Sequence, residues 1–179
     1  HSPCSVRRSC ANPSPGWCPS SCGTRRTKPT GRATTSTTPF DLTTAAAKAH
    51  LEFVVISRSD STLRGHFPGE VEALSDALAQ KYDGWIINPF FLEGGRYTID
   101  DVHYVNEGDM LVPAAQTEFA RDHAFGYSKS NLRDWISEKT NGRIAAKDVA
   151  TISIETLRGQ GPESVSALLM KLHHGQYCC

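Results

Sequence analysis

The sequence predicts an α/β fold of three layers, with a mostly parallel sheet and a small antiparallel insertion. Three observations carry that expectation. Short runs of β-branched and aromatic residues at 53–56, 84–88 and 149–154 alternate with stretches of helical period. Between the last two runs, turn signals at Asp100-Asp101 and Glu107-Gly108-Asp109 set off strands joined too tightly for helical crossovers. Apolar positions in the intervening segments recur at three, four and seven residues, the stripe of helices packed on a sheet.

Thr43 or Thr44 caps a short, alanine-rich helix over residues 45–51. Phe53, Val54, Val55 and Ile56 read as a buried strand, followed by a polar loop at 57–66. Pro68 suits the first helical position, and Val71, Leu74 and Leu78 lie on one face of the helix it opens. The run at 84–88 closes one βαβ unit and stops at Pro89. Residues 89–96 are apolar, then glycine-rich, then basic at Arg96, on the sheet edge that also carries the first loop. Residues 97–99, 102–105 and 110–112 read as short antiparallel strands. After an irregular stretch at 119–127, Ser128 or Ser130 caps a helix carrying Leu132, Trp135 and Ile136, closed near Asn141-Gly142. Residues 149–154 are a third core strand, and Gly161-Pro162 opens a last helix with Val165, Leu168, Leu169 and Leu172 on one face. Residues 173–179 fit no pattern, and the adjacent His173 and His174 point to different sides of a helix, against a metal site.

Charge divides the chain. Residues 1–50 carry seven Lys or Arg and one acid, a net of +6, while the remainder carries a net of −6. Of the first 33 residues, 26 are Ser, Thr, Pro, Gly, Cys or Arg, too little apolar surface to offset the entropy of ordering, so residues 1–39 read as disordered. A second reading of the same composition is an out-of-frame translation of a GC-rich gene, testable by reading the source DNA in its other frames. Cys4, Cys10, Cys18 and Cys22 lack the spacing of a zinc knuckle, and nothing downstream looks secreted, so no metal site is expected. The scattered basic residues lack aromatic interleaving and read as a solvated tail, not a nucleic-acid surface. No apolar run approaches the roughly 18–20 residues of a membrane span. The first residue is His1 and no apolar leader follows, so the sequence reads as a cytoplasmic fragment.

The loop at 57–66 is chemically the richest stretch. Within ten residues it holds two guanidiniums (Arg58, Arg64), one carboxylate (Asp60) and four hydroxyls (Ser57, Ser59, Ser61, Thr62). A connector needs fewer. A strand that ends in a polar turn and re-enters as a helix is where α/β proteins hold anionic ligands. The plain alternative is a well-capped turn, with Asp60 or Ser61 bonding the backbone and Arg64 in solvent.

Ser-Asp-Ser-Thr-Leu-Arg-Gly at 59–65, Pro-Phe-Phe-Leu-Glu-Gly-Gly-Arg-Tyr-Thr at 89–98, Asp-Val-His-Tyr-Val at 101–105 and Glu-Phe-Ala-Arg-Asp at 118–122 occur in that order. Together they resemble the four-carbon acid sugar kinase family, the kinases of threonate- and erythronate-like acids, over about residues 53–172. The resemblance implies an N-terminal α/β domain that binds the sugar acid, followed in complete members by a domain that binds ATP. It implies ATP and Mg²⁺ as cofactors not bound by this chain alone, and phosphoryl transfer to a terminal hydroxyl. It places substrate-binding residues at Arg58, Asp60, Ser61, Thr62, Arg64, Gly65 and Arg96, with catalytic residues unassigned. Arg58 or Arg64 suits the carboxylate and Asp60, Ser61 and Thr62 the hydroxyls, with Arg96 approaching from the second loop. Leu63 reads as a core anchor and His66 as a packed or solvated histidine. His123–Tyr127, Glu118, Arg121 and Asp122 match the family's middle region and serve either contacts or the fixing of a long loop.

Two departures qualify the resemblance. The family's first strand and acidic Asp-Asp-Phe-Thr-Gly-like turn have no counterpart in residues 1–52, and no phosphate-cradling glycine loop is recognisable. The expected organisation is a disordered or non-native segment at 1–39, a partial sugar-acid-binding domain at 40–175 with its sheet incomplete at the N-terminal edge, and a tail at 176–179. The expected function is the substrate-binding domain of such a kinase, truncated and with little activity alone. The alternatives are a non-catalytic sugar-acid binding module and a non-functional gene fragment. The expected partner is a small sugar acid, with no nucleic acid and no membrane.

Overall fold

The computed structural model describes residues 37–159 and 161–179, all within the unit Ala33–Cys179. The zinc reading and the disorder reading up to residue 36 lie outside the described residues, while residues 37–39, expected to be disordered, lie in the first turn of a helix. The first helix, α1 (Thr37–Ala49), begins upstream of the caps expected at Thr43 or Thr44, and both threonines lie inside it. It closes on His50 at φ 53°, with the Leu51 N–H bonded to the Ala46 carbonyl at 3.0 Å.

The strand expected at 53–56 does not form. The chain there keeps the alternation of an extended segment, Phe53 and Val55 half-buried and Val54 and Ile56 mostly exposed, at 82% and 78%. Among the described residues no neighbouring strand takes its N–H and C=O groups, and β-propensity without a partner builds no ladder. Helix α2 (Gly69–Leu78) follows as expected and ends on left-handed Ala79, whose N–H reaches the Asp76 and Ser75 carbonyls. With no strand before it, α2 is not the crossover of a βαβ unit.

The parallel sheet pairs β1 (Gly84–Ile86) with β5 (Gln176–Cys178), Trp85 opposite Tyr177. The segment expected as a tail is therefore a strand. It is flanked on its other side by residues 150–152, the remnant of the third expected strand. There the Ala150 and Ile152 N–H groups donate to the Tyr177 and Cys179 carbonyls, both at 2.8 Å. Ladder geometry stops because Ile154 opens helix α4 (Ile154–Gly159), with α5 (Gly161–Leu169) next.

The antiparallel insertion is a three-stranded meander of β2 (Arg96–Ile99), β3 (Val102–Glu107) and β4 (Met110–Pro113). Asp100 and Asp101 both take positive φ, 49° and 64°, the requirement of a two-residue turn matched to strand twist. Short 3₁₀ turns at Ala114–Gln116 and Glu118–Arg121 lead out of β4. Helix α3 (Leu132–Lys139) is capped by Asn131, whose side chain accepts the Arg133 N–H, and not by Ser128 or Ser130. It closes as expected at Asn141 and Gly142.

The core collects on α3. Leu132, Trp135 and Ile136 are buried there against Val105 of β3, Tyr177 of β5, Tyr127 and, from the polar loop, Leu63. Leu63 is the anchor the sequence suggested. The fold is thus mixed α/β, with a parallel sheet and an antiparallel insertion, and the polar loop is tied to the insertion through His103 and to the core through Leu63. No helix of the described residues is long and apolar enough to cross a membrane.

Candidate functional site

Three separate hydrogen-bonded ties hold the loop at 57–66. The Tyr127 hydroxyl donates to the Thr62 carbonyl at 2.8 Å. His103 of β3, with no exposed surface, reaches the Ser61 carbonyl through Nε2 at 2.7 Å and the Thr98 hydroxyl through Nδ1 at 3.0 Å. A carbonyl only accepts, so Nε2 carries the proton and Nδ1 accepts from Thr98. Ser57 donates to Glu70 of α2 at 2.7 Å. Burial pushes the Tyr127 hydroxyl up to about 12, which keeps it a donor at ordinary pH.

Within the loop, Asp60 is the hub. Its Oδ2 accepts from the Thr62 hydroxyl and from Arg64 Nε at 2.7 Å, and the same Nε–H is shared with the Thr62 oxygen at 2.9 Å. Burial pushes the Asp60 carboxyl up, but the bonds from Arg64 and Thr62 outweigh it and hold the group below its ordinary range. The Asp60 bond raises Arg64 in turn, and Arg64 Nη1 also lies 3.9 Å from Asp122. Asp122 is held low by the backbone N–H groups of Phe125 and Ala124, both 2.9 Å from its Oδ1.

Gly65 takes φ +145°, open to glycine and strained for other residues, and a Cβ there would meet the Ser59 hydroxyl at 3.3 Å. The Ser61 hydroxyl makes no hydrogen bond among the described residues. Arg58 does not join the cluster: it is exposed and makes no hydrogen bond or ion pair among them. His66 is exposed and meets Phe125 edge-on, centroids 4.9 Å apart.

Arg96 comes to the loop through an aromatic ring. The Phe119 centroid lies 5.1 Å from Arg64 Cζ and 5.3 Å from Arg96 Cζ, so two guanidiniums from distant segments share one phenyl. Beside the ring opens a cleft of about 520 Å³, lined from the meander by Arg96, Val105, Asn106 and Glu107. Gln116 to Phe119 and Arg121 line it from the 3₁₀ turns. Phe119, Asn106 and Gln116 were not legible as site residues. A phenylalanine in an irregular stretch reads as core, and the other two gain meaning only from the register of β3 and the turn after β4. A second recess of about 700 Å³ lies around Trp85, Arg143, His173 and His174, where none of the residues expected at the site is found.

The backbone around Gly94 and Gly95 does not form a phosphate cradle. The Gly95 N–H is taken by the Leu92 carbonyl at 2.9 Å and the Arg96 N–H by the Phe91 carbonyl at 2.9 Å. A phosphate-binding nest needs such groups free, so these residues do not fit a nucleotide.

A family model described as the sugar-binding N-terminal domain matches residues 21–179. No curated protein matches the chain significantly. Among solved structures, the chain is similar to Haemophilus influenzae protein HI1011, described with the family model DUF1537. The TM-score is 0.49 and identity 17%, over 68% of this chain and 28% of that one. It is also similar to a Salmonella typhimurium LT2 protein labelled a tRNA synthase, at TM-score 0.47 and 20% identity, over 66% of this chain and 27% of that one. The chain thus spans little more than a quarter of the length of either protein.

Proposed function

Because the chain belongs to the sugar-binding N-terminal domain family, we propose that it holds the acceptor of an ATP-dependent kinase acting on a terminal hydroxyl of a four-carbon sugar acid. The observation that carries this reading is the convergence on Phe119. A loop dense in hydroxyl-binding groups and a guanidinium from the first residue of β2 meet at one ring beside an open cleft. A polyhydroxy acid asks for that combination: a cation for the carboxylate, and carboxylate and hydroxyl groups for the alcohols.

The described residues perform binding and orientation. Asp60, Thr62 and Arg64 form a fixed set, and phosphoryl transfer asks a protein mainly for such positioning and charge placement. ATP and Mg²⁺ are the proposed co-reactants, and Gly94 and Gly95 do not hold the nucleotide. Calorimetric titration of the chain with threonate and erythronate tests the reading. Saturable binding supports it, and heats no different from buffer with both acids defeat it. Binding without ATP turnover identifies the chain as an acceptor-binding module.

A further inference from the structure

The cations at the site are not equivalent. Arg64 is neutralised by Asp60 at 2.7 Å and has Asp122 nearby. Arg96 and Arg121 have no carboxylate within ion-pair distance among the described residues. Arg96 Nη1 donates to the Gly94 carbonyl, but its Nε is shielded from solvent and has no acceptor. It is the one charged side chain among the described residues with such a nitrogen. A guanidinium laid against a phenyl, with a dry N–H and no counter-charge, leaves an electrostatic need that an incoming anion meets.

The cleft beside it has the form of a small-molecule site. Its volume falls within the range of about 300–1,000 Å³ common for such pockets. Val105 and Thr117 are buried and Phe119 half-buried, whereas Asn106, Glu107, Gln116, Glu118 and Arg121 are exposed around them.

We propose that this cleft is the carboxylate end of the sugar-acid site. Arg96 takes the carboxylate, Arg121 closes on it from the rim, and Asp60 and Ser61 are left to read hydroxyls. The assignment rests on the sugar-acid reading above and departs from the sequence-based expectation, which gave the carboxylate to Arg58 or Arg64. Arg58 lies outside the cluster, and Arg64 is already committed to Asp60. The cleft's two cations, Arg96 and Arg121, are met by the first carboxylate, so a second anionic group would face only the rim acids Glu107 and Glu118, which repel it. The ligand class is therefore a polyhydroxy monocarboxylate and not a dicarboxylate.

The test is calorimetric titration of the full chain with threonate, with threitol (a four-carbon polyol lacking the carboxylate) and with tartrate, the dicarboxylate. The wild type is expected to bind threonate at least about tenfold more tightly than threitol, on the strength of a charge-assisted pair, and more tightly than tartrate. Arg96→Gln abolishes the preference for threonate over threitol. Arg121→Gln reduces it and, because Arg121 is exposed, leaves the thermal midpoint unchanged, so the test does not depend on the folding of the Arg96 variant. Retention of the full preference in both variants places the carboxylate elsewhere and overturns the assignment. So does equal binding of threonate and threitol by the wild type, which leaves the sugar site itself standing. Tighter binding of tartrate overturns the monocarboxylate assignment. Absence of binding to all three defeats the sugar-acid reading and this assignment with it.

Discussion

His103 Nε2 donates to the Ser61 carbonyl across 2.7 Å, fastening a loop to a strand 42 residues further along the chain. The ring has no exposed surface, and its other nitrogen is occupied by Thr98. Replacing it with leucine keeps an apolar body but leaves a carbonyl and a hydroxyl of half-buried residues, Ser61 and Thr98, without these partners. His103→Leu is expected to cost about 2–4 kcal/mol of stability, measured by urea unfolding at pH 7.5.

The same histidine sets a pH dependence. Burial pushes its pKa below the ordinary 6.5, and the Arg96 charge acts in the same direction. As pH falls through 6.5, the unfolded chain takes up this proton before the folded one. The stability contribution is complete above 6.5, declines below it, and levels off once the folded ring also protonates. Urea midpoints from pH 7.5 to 5 are expected to fall for the wild type and to fall less for His103→Leu. Parallel slopes in the two proteins would assign the acid loss to other groups.

Asp60 gives the corresponding test at lower pH. Its folded pKa lies below 3.8, so its contribution is full above that value and is lost as pH drops through the folded one. Asp60→Asn removes the charge that holds Arg64 and weakens the acceptor shared by Thr62 and Arg64. Amide exchange at Leu63, whose N–H bonds the Asp60 carbonyl at 3.2 Å, is expected to quicken in Asp60→Asn while exchange in α3 is unchanged. Unaltered exchange at Leu63 would mean that the ties from His103, Tyr127 and Ser57 fix the loop without the Asp60 cluster.

Local signals were legible where they suffice to determine structure. The paired aspartates 100 and 101 announced a tight hairpin, and Asn141-Gly142 announced the end of α3, because positive φ is a property of the residues themselves. Partnership was not legible. Residues 53–56 have strand composition and no strand neighbour among the described residues, whereas Gln176–Cys178 form a strand with little composition to announce it, because two segments flank them. The site divides in the same way. The hydrogen-bonding wealth of 57–66 was visible in ten consecutive residues. The separation of Arg58 from Arg64, and the meeting of Arg64 with Arg96 at Phe119, depend on distances between segments that spacing does not encode.

Two glycines make a matched pair for the loop. Gly65 holds φ +145° with the Ser59 hydroxyl close to where a Cβ would sit, while Gly69 opens α2 with nothing within 4 Å of that position. Gly65→Ala is expected to destabilise by about 1–3 kcal/mol through backbone strain. Gly69→Ala is expected to be neutral or to stabilise by up to about 1 kcal/mol through helix propensity. Thermal unfolding of both compares them directly, and equal midpoints would show that the loop relaxes to another backbone conformation.

Phe119 is the last point at which packing and recognition separate. The ring is half-buried against the core, so leucine preserves most of its apolar contact. What leucine lacks is the π-face that meets Arg64 and Arg96 at 5.1 and 5.3 Å. Cation–π contacts of this kind are worth about 0.5–1 kcal/mol each, so losing both releases the two guanidiniums from a common plane. Phe119→Leu is expected to weaken threonate binding by about tenfold, roughly 1.4 kcal/mol, with a smaller loss of folding stability. Phe119→Tyr keeps the face and is expected to bind as the wild type does. If leucine binds as well as phenylalanine, the ring is packing alone and Arg96 is oriented by the Gly94 carbonyl. If leucine and tyrosine both lose binding, the cause is the shape of the cleft and not the π-face, because tyrosine preserves the latter.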